Sequence, residues 1–154
     1  ARPMLETRVD IRVEWSHCDA ARIVYNPHFF SWSETGVTTL FEAAGFALTE
    51  IMDGDPDYRG VPLVKSEATF HAPARFGDDL VLSTTIGRFG RTSFDMAHRF
   101  TRADALIAEI AQVRVWSGVD PDDADRIKAV AIPDRIRQAL EEDRTVEIRT
   151  VWTG

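Results

Sequence analysis

Residues 15–32 have the sequence WSHCDAARIVYNPHFFSW. The first two of these residues complete a strand pattern that begins at Arg8. From Arg8 to Ser16 apolar and polar residues alternate strictly, which predicts a strand with one face in solvent. The apolar side chains of that strand are Val9, Ile11, Val13 and Trp15. A polar loop follows, and a helix pattern begins inside the quoted segment. The segment therefore decides the fold as a strand, a loop and then a helix.

The helix is predicted to start at Asn26 and Pro27, because asparagine is a good N-cap and proline suits the first helical position. Gly45 supplies a C-terminal stop. Apolar residues recur at helical spacing between these points, at Phe29, Phe30, Val37, Leu40, Phe41 and Ala44. One long helix with a continuous apolar face is therefore expected.

Four strand-like segments follow a turn-rich stretch at residues 54–60. They run near residues 61–70, 80–89, 92–102 and 106–116. The breaks between them contain glycine, proline or aspartate and are short, which favours antiparallel hairpins and a four-stranded meander. Near the end, Asp134 can cap a short helix that turns Ile136 and Leu140 inward. The pattern predicts an α+β fold with one long helix.

Composition narrows the class of protein. The chain has 154 residues, of which 44% are hydrophobic and 28% charged, as in an ordinary globular domain. The net charge of -7 disfavours nucleic acid as a partner, because phosphate backbones require a basic face. Cys18 is the single cysteine, which excludes an intramolecular disulfide and favours a cytoplasmic location. No apolar run approaches the length of a membrane span, so no membrane association is expected.

Three motifs carry a resemblance to a known family. HCDAARIVYNPHFFSW at residues 17–32, PARFGDD at residues 73–79 and GRTSF at residues 90–94 resemble hot-dog fold acyl-CoA thioesterases, in particular the 4-hydroxybenzoyl-CoA thioesterase-like group. The resemblance implies a curved five-stranded antiparallel sheet wrapped around one central helix, in a single domain with a core at about residues 7–142 and a tail at residues 143–154. It also implies a small-molecule acyl-CoA substrate and sites assembled at subunit interfaces. A homodimer or homotetramer is expected, since one helix leaves part of the sheet uncovered.

The same resemblance assigns roles to individual residues. Asp19 falls on the position of the family's catalytic carboxylate, and Asn26 on the residue whose backbone N–H polarises the thioester carbonyl. The residues that meet the nucleotide end of coenzyme A are implied to be Arg88, Arg91, Thr92 and Ser93.

The chemistry of thioester hydrolysis fits these residue types. Asp19 can attack the thioester directly or activate a water, and both routes stay open. The helix start can stabilise the oxyanion with free N–H groups, and since Pro27 has none, the donor must be Asn26 or His28. No metal or organic cofactor is expected, because consecutive residues such as His17 and Cys18 rarely converge on one zinc ion.

Further substrate-binding candidates surround this centre, namely Arg22, Tyr25, His28, Phe29 and Glu34. Arg22 stands where family members commonly have glycine, so it either adopts a positive φ at a cost of about 1–2 kcal/mol or reaches into the acyl pocket to bind a carboxylate. Glu34 lies about 12 Å of helix rise beyond Asn26, which favours a supporting role.

Two alternatives remain at this stage. A hydratase or dehydratase of acyl thioesters would need His28 or His71 paired with Glu34. A domain that binds acyl-CoA without catalysis would use Arg22 for binding. Neither the acyl group nor the choice between coenzyme A and a carrier protein is encoded in the motifs.

Overall fold

The structure, a computed structural model, describes residues 3–149. Its main sheet contains β1 (Glu6–Arg12), β3 (Leu63–Phe70), β4 (Asp79–Phe89), β5 (Ser93–Arg102), β6 (Ala105–Val115) and β9 (Thr145–Ile148). A smaller sheet contains β2 (Tyr58–Gly60), β7 (Ser117–Asp120) and β8 (Asp123–Ala129). The helices are α1 (Pro27–Ala43), α2 (Leu48–Gly54) and α3 (Asp134–Leu140). Within the described residues no helix is long and apolar enough to cross a bilayer.

The first strand ends earlier than its alternation predicts. Val9, Ile11 and Val13 are buried as expected, but Trp15 is 71% exposed, so the extension of the strand to residue 16 is wrong. Residues 15–17 form a 3-10 turn instead. The turn is favoured because the His17 ring accepts a hydrogen bond from the Glu14 N–H at 2.9 Å, a local contact that competes with strand pairing.

The long helix α1 lies across the main sheet and contacts β1, β4 and β6. It ends as predicted at Gly45, whose φ of 90° suits glycine. The Gly45 N–H donates to Glu42 O at 2.9 Å and the Phe46 N–H to Phe41 O at 2.9 Å, which forms a Schellman cap. One residue departs from the predicted apolar face, because Phe30 is 38% exposed.

The main sheet has the strand order β3-β6-β5-β4-β1-β9. The predicted hairpins β4–β5 and β5–β6 are confirmed, but the predicted meander is wrong at residues 72–79, where β3 pairs with β6 and not with β4. The connecting segment is held instead against the loop before α1, through Val24 N to Ala74 O at 2.8 Å and Val13 N to Asp78 O at 2.9 Å. A sixth strand, β9, falls in the predicted tail and pairs parallel to β1. Residues 150–154 of that tail lie outside the described residues.

A glycine lets α1 approach the sheet closely. A Cβ atom on Gly36 would lie 2.3 Å from Thr84 Oγ1 and 3.0 Å from His98 Nδ1. Real Cβ contacts of 2.3 Å do not occur, so only glycine permits this helix–sheet distance. The helix position, and with it the position of the helix start, therefore depends on residue 36.

The polar groups under α1 form one hydrogen-bonded chain. Thr84 Oγ1 contacts His98 Nδ1 at 2.9 Å, and His98 Nε2 contacts Gln112 Oε1 at 2.9 Å. Gln112 Nε2 then donates to Ser33 Oγ on the helix at 3.2 Å. Burial lowers the pKa of His98 to about 4, so the ring is neutral near pH 7. Because Arg114 also donates to Gln112 Oε1, that oxygen acts as an acceptor, and the neutral ring donates from Nε2 and accepts from Thr84.

Candidate active site

Asp19 lies in a tight exposed turn that joins the 3-10 turn to α1. Its N–H donates to Ile23 O at 3.0 Å, and its carbonyl accepts from the Arg22 N–H at 2.9 Å. Its carboxylate Oδ1 accepts from the Ala21 N–H at 2.9 Å. The second carboxylate oxygen bonds to no other described residue, so Asp19 both fixes the turn and presents a free oxygen.

Arg22 adopts the backbone conformation expected of the family's glycine, with a φ of 66°. Of the two sequence-based expectations for Arg22, the positive φ is therefore confirmed. Its side chain is exposed and does not line the cavity described below.

Replacing Arg22 by glycine is expected to raise the free energy of unfolding by about 0.5–1 kcal/mol. Relief of about 1–2 kcal/mol of left-handed strain exceeds the 0.5–1 kcal/mol of entropy that glycine costs. Urea unfolding measures the change. Ala103, with a φ of 48° in the β5–β6 turn, is the matched control, and Ala103→Gly should give a similar gain. If Ala103→Gly raised the free energy of unfolding and Arg22→Gly did not, the proposed backbone strain at Arg22 would be contradicted.

Asn26 stands at the start of α1 and is itself helical, with φ of -49° and ψ of -38°. Its side chain makes no capping hydrogen bond, contrary to the expectation for an asparagine N-cap. The reason is local, because the helical carbonyls of Tyr25 and Asn26 already accept from His28 N at 2.9 Å and Phe29 N at 3.0 Å. With His28 engaged, and Pro27 lacking an N–H, the Asn26 N–H is left without an acceptor among residues 3–149. The sequence left Asn26 and His28 open as the oxyanion donor, and the geometry favours Asn26.

A cavity of about 360 Å³ opens beside this helix start. Most of its lining is apolar, and its polar side chains are Asn26 and His71. The lining residues are Ile23, Val24, Asn26, Phe29, Phe70, His71, Ala72, Pro73 and Ala74. Of the predicted site residues it thus brings together Asn26 and Phe29, while Asp19, Tyr25, His28 and Glu34 lie outside its lining. An apolar slot next to a free N–H suits a thioester carbonyl with an apolar acyl group.

His17 and His28 contact an aromatic cluster that includes Trp32, and Cys18 packs beside the core. The buried His17 ring contacts Trp32 at 5.0 Å and His28 at 5.2 Å between centroids. Burial, and then repulsion from His17, lower the pKa of His28. Cys18 Sγ lies 3.7 Å from Glu14 O. In the described part of the chain no cluster of three His, Cys, Asp or Glu side chains is arranged to hold a metal ion.

Glu34 is paired with a residue that the sequence did not single out. The buried Arg114 of β6 forms an ion pair with the Glu34 carboxylate and also donates to Val61 O at 3.0 Å. Glu34 bonds to neither His28 nor His71 within residues 3–149, and His71 instead faces Glu109 at 3.7 Å. Among residues 3–149, the pairing of Glu34 with His28 or His71 that the hydratase alternative requires is therefore not formed.

The predicted coenzyme A residues lie at the opposite end of β4. This strand begins next to Val13, in the segment that leads from β1 to the Asp19 turn, because the Val13 N–H donates to Asp78 O, and it ends at the β4–β5 hairpin. Ten residue steps of strand separate the two ends by about 33 Å. Arg88 and Arg91 are exposed, and no described carboxylate lies within ion-pair distance of either.

Known proteins resemble this chain in sequence and in fold. A family model described as the thioesterase-like superfamily matches residues 13–140. The 4-hydroxybenzoyl-CoA thioesterase of Pseudomonas sp. (strain CBS-3) is 26% identical over 127 residues, which cover 79% of this chain and 88% of the relative. The solved structure of the 4-hydroxybenzoyl-CoA thioesterase from that strain is 25% identical, with a TM-score of 0.76 over 90% of this chain and 99% of the other.

A second solved structure, a gentisyl-coenzyme A thioesterase, is 27% identical with a TM-score of 0.73, covering 88% of this chain and 99% of the other. The predicted hot-dog fold is confirmed by these likenesses. Every site residue predicted above lies within the matched segment.

Proposed function

Because this chain belongs to the thioesterase-like superfamily and is a thioester hydrolase, we propose that it hydrolyses the coenzyme A thioester of a hydroxylated aromatic acid. The observation that carries the proposal is that Asn26, whose N–H has no acceptor among residues 3–149, lines an apolar cavity. Phe29 and Phe70 offer ring surfaces to a flat acyl group there. Two relatives named for 4-hydroxybenzoyl-CoA and gentisyl-CoA, at 26% and 27% identity, support an aromatic acid.

Asp19 supplies the base or nucleophile in this proposal. As a base it takes a proton from water while the water oxygen attacks the thioester carbon. As a nucleophile it forms a mixed anhydride, which water then hydrolyses. On either route the thioester carbonyl oxygen gains negative charge and accepts a hydrogen bond from the Asn26 N–H. The carbon–sulfur bond then breaks. The coenzyme A thiolate takes up the proton that the attacking water gives up, either through Asp19 or through solvent. No metal or organic cofactor is needed.

A homodimer would complete the site. Within one chain β4 extends for about 33 Å from the segment next to Val13 to the cationic hairpin, so we expect a partner subunit to bring its own hairpin to the Asp19 turn. The β3 edge supports an association, because on one side it pairs with no strand among residues 3–149 and it exposes Leu63, Val64 and Phe70 at 46%, 63% and 42%.

A panel of acyl-CoA thioesters with a colorimetric thiol readout tests the proposal. We expect kcat/KM for 4-hydroxybenzoyl-CoA and gentisyl-CoA to exceed that for butyryl-CoA by about 100-fold, since the aromatic ring fills the apolar slot. Succinyl-CoA tests whether Arg22 favours an acidic acyl group. An equal rate with butyryl-CoA would contradict an aromatic substrate, and a change in unsaturation without thiol release from an enoyl-CoA would indicate a hydratase.

A further inference from the structure

The tip of the β4–β5 hairpin, residues 90–92, is hydrogen-bonded through its carbonyl groups to the rest of the protein. Three successive carbonyl oxygens accept hydrogen bonds from the body of the protein. The donor–acceptor pairs are Arg137 Nη2 to Gly90 O at 2.7 Å, Ile132 N to Arg91 O at 3.0 Å, and Trp116 N to Thr92 O at 2.8 Å. Three consecutive peptide units of the turn are therefore fixed in orientation.

This orientation determines where the N–H groups of the turn point. In a planar trans peptide the C=O and the following N–H lie on opposite sides. With the carbonyls of Gly90 and Arg91 drawn toward α3 and residue 132, the N–H groups of Arg91 and Thr92 point away from those elements. Neither N–H has an acceptor within residues 3–149. Free backbone N–H groups beside cationic side chains suit phosphate oxygens.

Arg137 is the one side chain among these three donors. Its guanidinium also lies over the Phe89 ring, 4.9 Å from the centroid, so it holds the turn by two contacts on successive residues. The helix that carries it is anchored by the buried Ile136 and Leu140. No described carboxylate lies within ion-pair distance of Arg137, so its contacts are to the hairpin itself.

We propose that Arg137 is a positioning residue that preorganises the β4–β5 hairpin for the phosphate groups of coenzyme A. The inference rests on the proposed function and extends it to a helix that the sequence motifs do not include. Arg137 holds Gly90 O and Phe89 in place, so the turn loses less conformational entropy when it binds an anion than an unrestrained turn would. It also adds a positive charge behind Arg88 and Arg91 in a protein whose net charge is -7.

The variant Arg137→Gln tests this role with two substrates that share one acyl group. One is the acyl-CoA, and the other is the same acyl group on N-acetylcysteamine, which lacks every phosphate. We expect KM for the acyl-CoA to rise about tenfold with little change in kcat, because binding common to ground and transition states is lost. The kcat/KM for the truncated thioester should stay at the wild-type value. Arg135→Gln is the matched control, since Arg135 lies on the same helix over Phe46 at 5.4 Å.

A double-mutant cycle with Arg91→Gln separates positioning from an independent phosphate contact. If Arg137 acts through the turn, the double variant should lose less affinity for the acyl-CoA than the product of the two single effects. Additive losses, or equal losses on both thioesters, would overturn the inference. A wild-type enzyme that hydrolyses both thioesters equally well would overturn coenzyme A as the substrate and the inference with it. A wild-type preference for the acyl-CoA that survives in Arg137→Gln would overturn the inference alone.

Discussion

Asp19→Asn is expected to lower kcat by about 10³-fold while leaving the fold unchanged. The asparagine side-chain oxygen can still accept the Ala21 N–H, now at 2.9 Å, so the turn keeps its shape. The amide can neither remove a proton from water nor attack a thioester. Thiol release from the preferred acyl-CoA measures the loss, and urea unfolding checks that stability is retained.

Asp123→Asn is the matched control for this substitution. Asp123 is exposed and accepts the Asp125 N–H at 3.0 Å, the same two-residue turn contact that Asp19 makes. It lies in β8, outside the proposed site, so its replacement should leave kcat unchanged. Near-normal turnover in Asp19→Asn would refute the catalytic role and reduce Asp19 to a turn-forming residue.

Gly36→Ala is expected to destabilise the protein by about 3 kcal/mol or more. The new methyl group would lie 2.3 Å from Thr84 Oγ1, and both groups are buried between α1 and the sheet. Overpacking of a core typically costs about 1–3 kcal/mol, and displacement of Thr84 also breaks its hydrogen bond to His98. Chemical unfolding monitored by tryptophan fluorescence measures the loss.

Two further variants identify the origin of that loss. Gly54→Ala adds a methyl group at a helical glycine with no atom within 4 Å, and should leave the free energy of unfolding nearly unchanged. Combining Gly36→Ala with Thr84→Ala removes the hydroxyl that the new methyl group meets. The double variant should therefore be more stable than the sum of the single losses predicts. Strict additivity would argue against a direct steric contact.

Local patterns were enough to predict most elements of this fold. Strand-like segments between short turn signals located β4, β5 and β6, and the Asn26-Pro27 and Gly45 signals located both ends of α1. The pairing of β3 with β6 was not predictable in this way, because strand partners separated by a long stretch of chain are chosen by tertiary packing. Trp15 shows the same limit, since one bond between Glu14 and His17 outweighs a continuous alternation.

In the candidate site, too, residues of a local motif could be predicted, and residues that act through long-range contacts could not. Asp19 and Asn26 could be proposed from the sequence because they belong to one short motif. Arg114 and Arg137 were missed, since each acts on a residue distant in sequence. A signal for Arg114 did exist, because it shares the inward parity of Ile110 and Gln112 on β6, and a buried arginine requires a partner. No comparable signal marked Arg137, whose helix reaches the hairpin only in the folded chain.

The late pairing of β3 has a consequence for synthesis of the protein. On the ribosome β3 emerges about 40 residues before β6, its strand neighbour within the chain. At about 5–20 residues per second, this strand, which exposes Leu63, Val64 and Phe70, waits roughly 2–8 seconds with both edges unpaired. Unpaired strand edges make nascent chains prone to aggregate, so added chaperone capacity should raise the yield of folded recombinant protein.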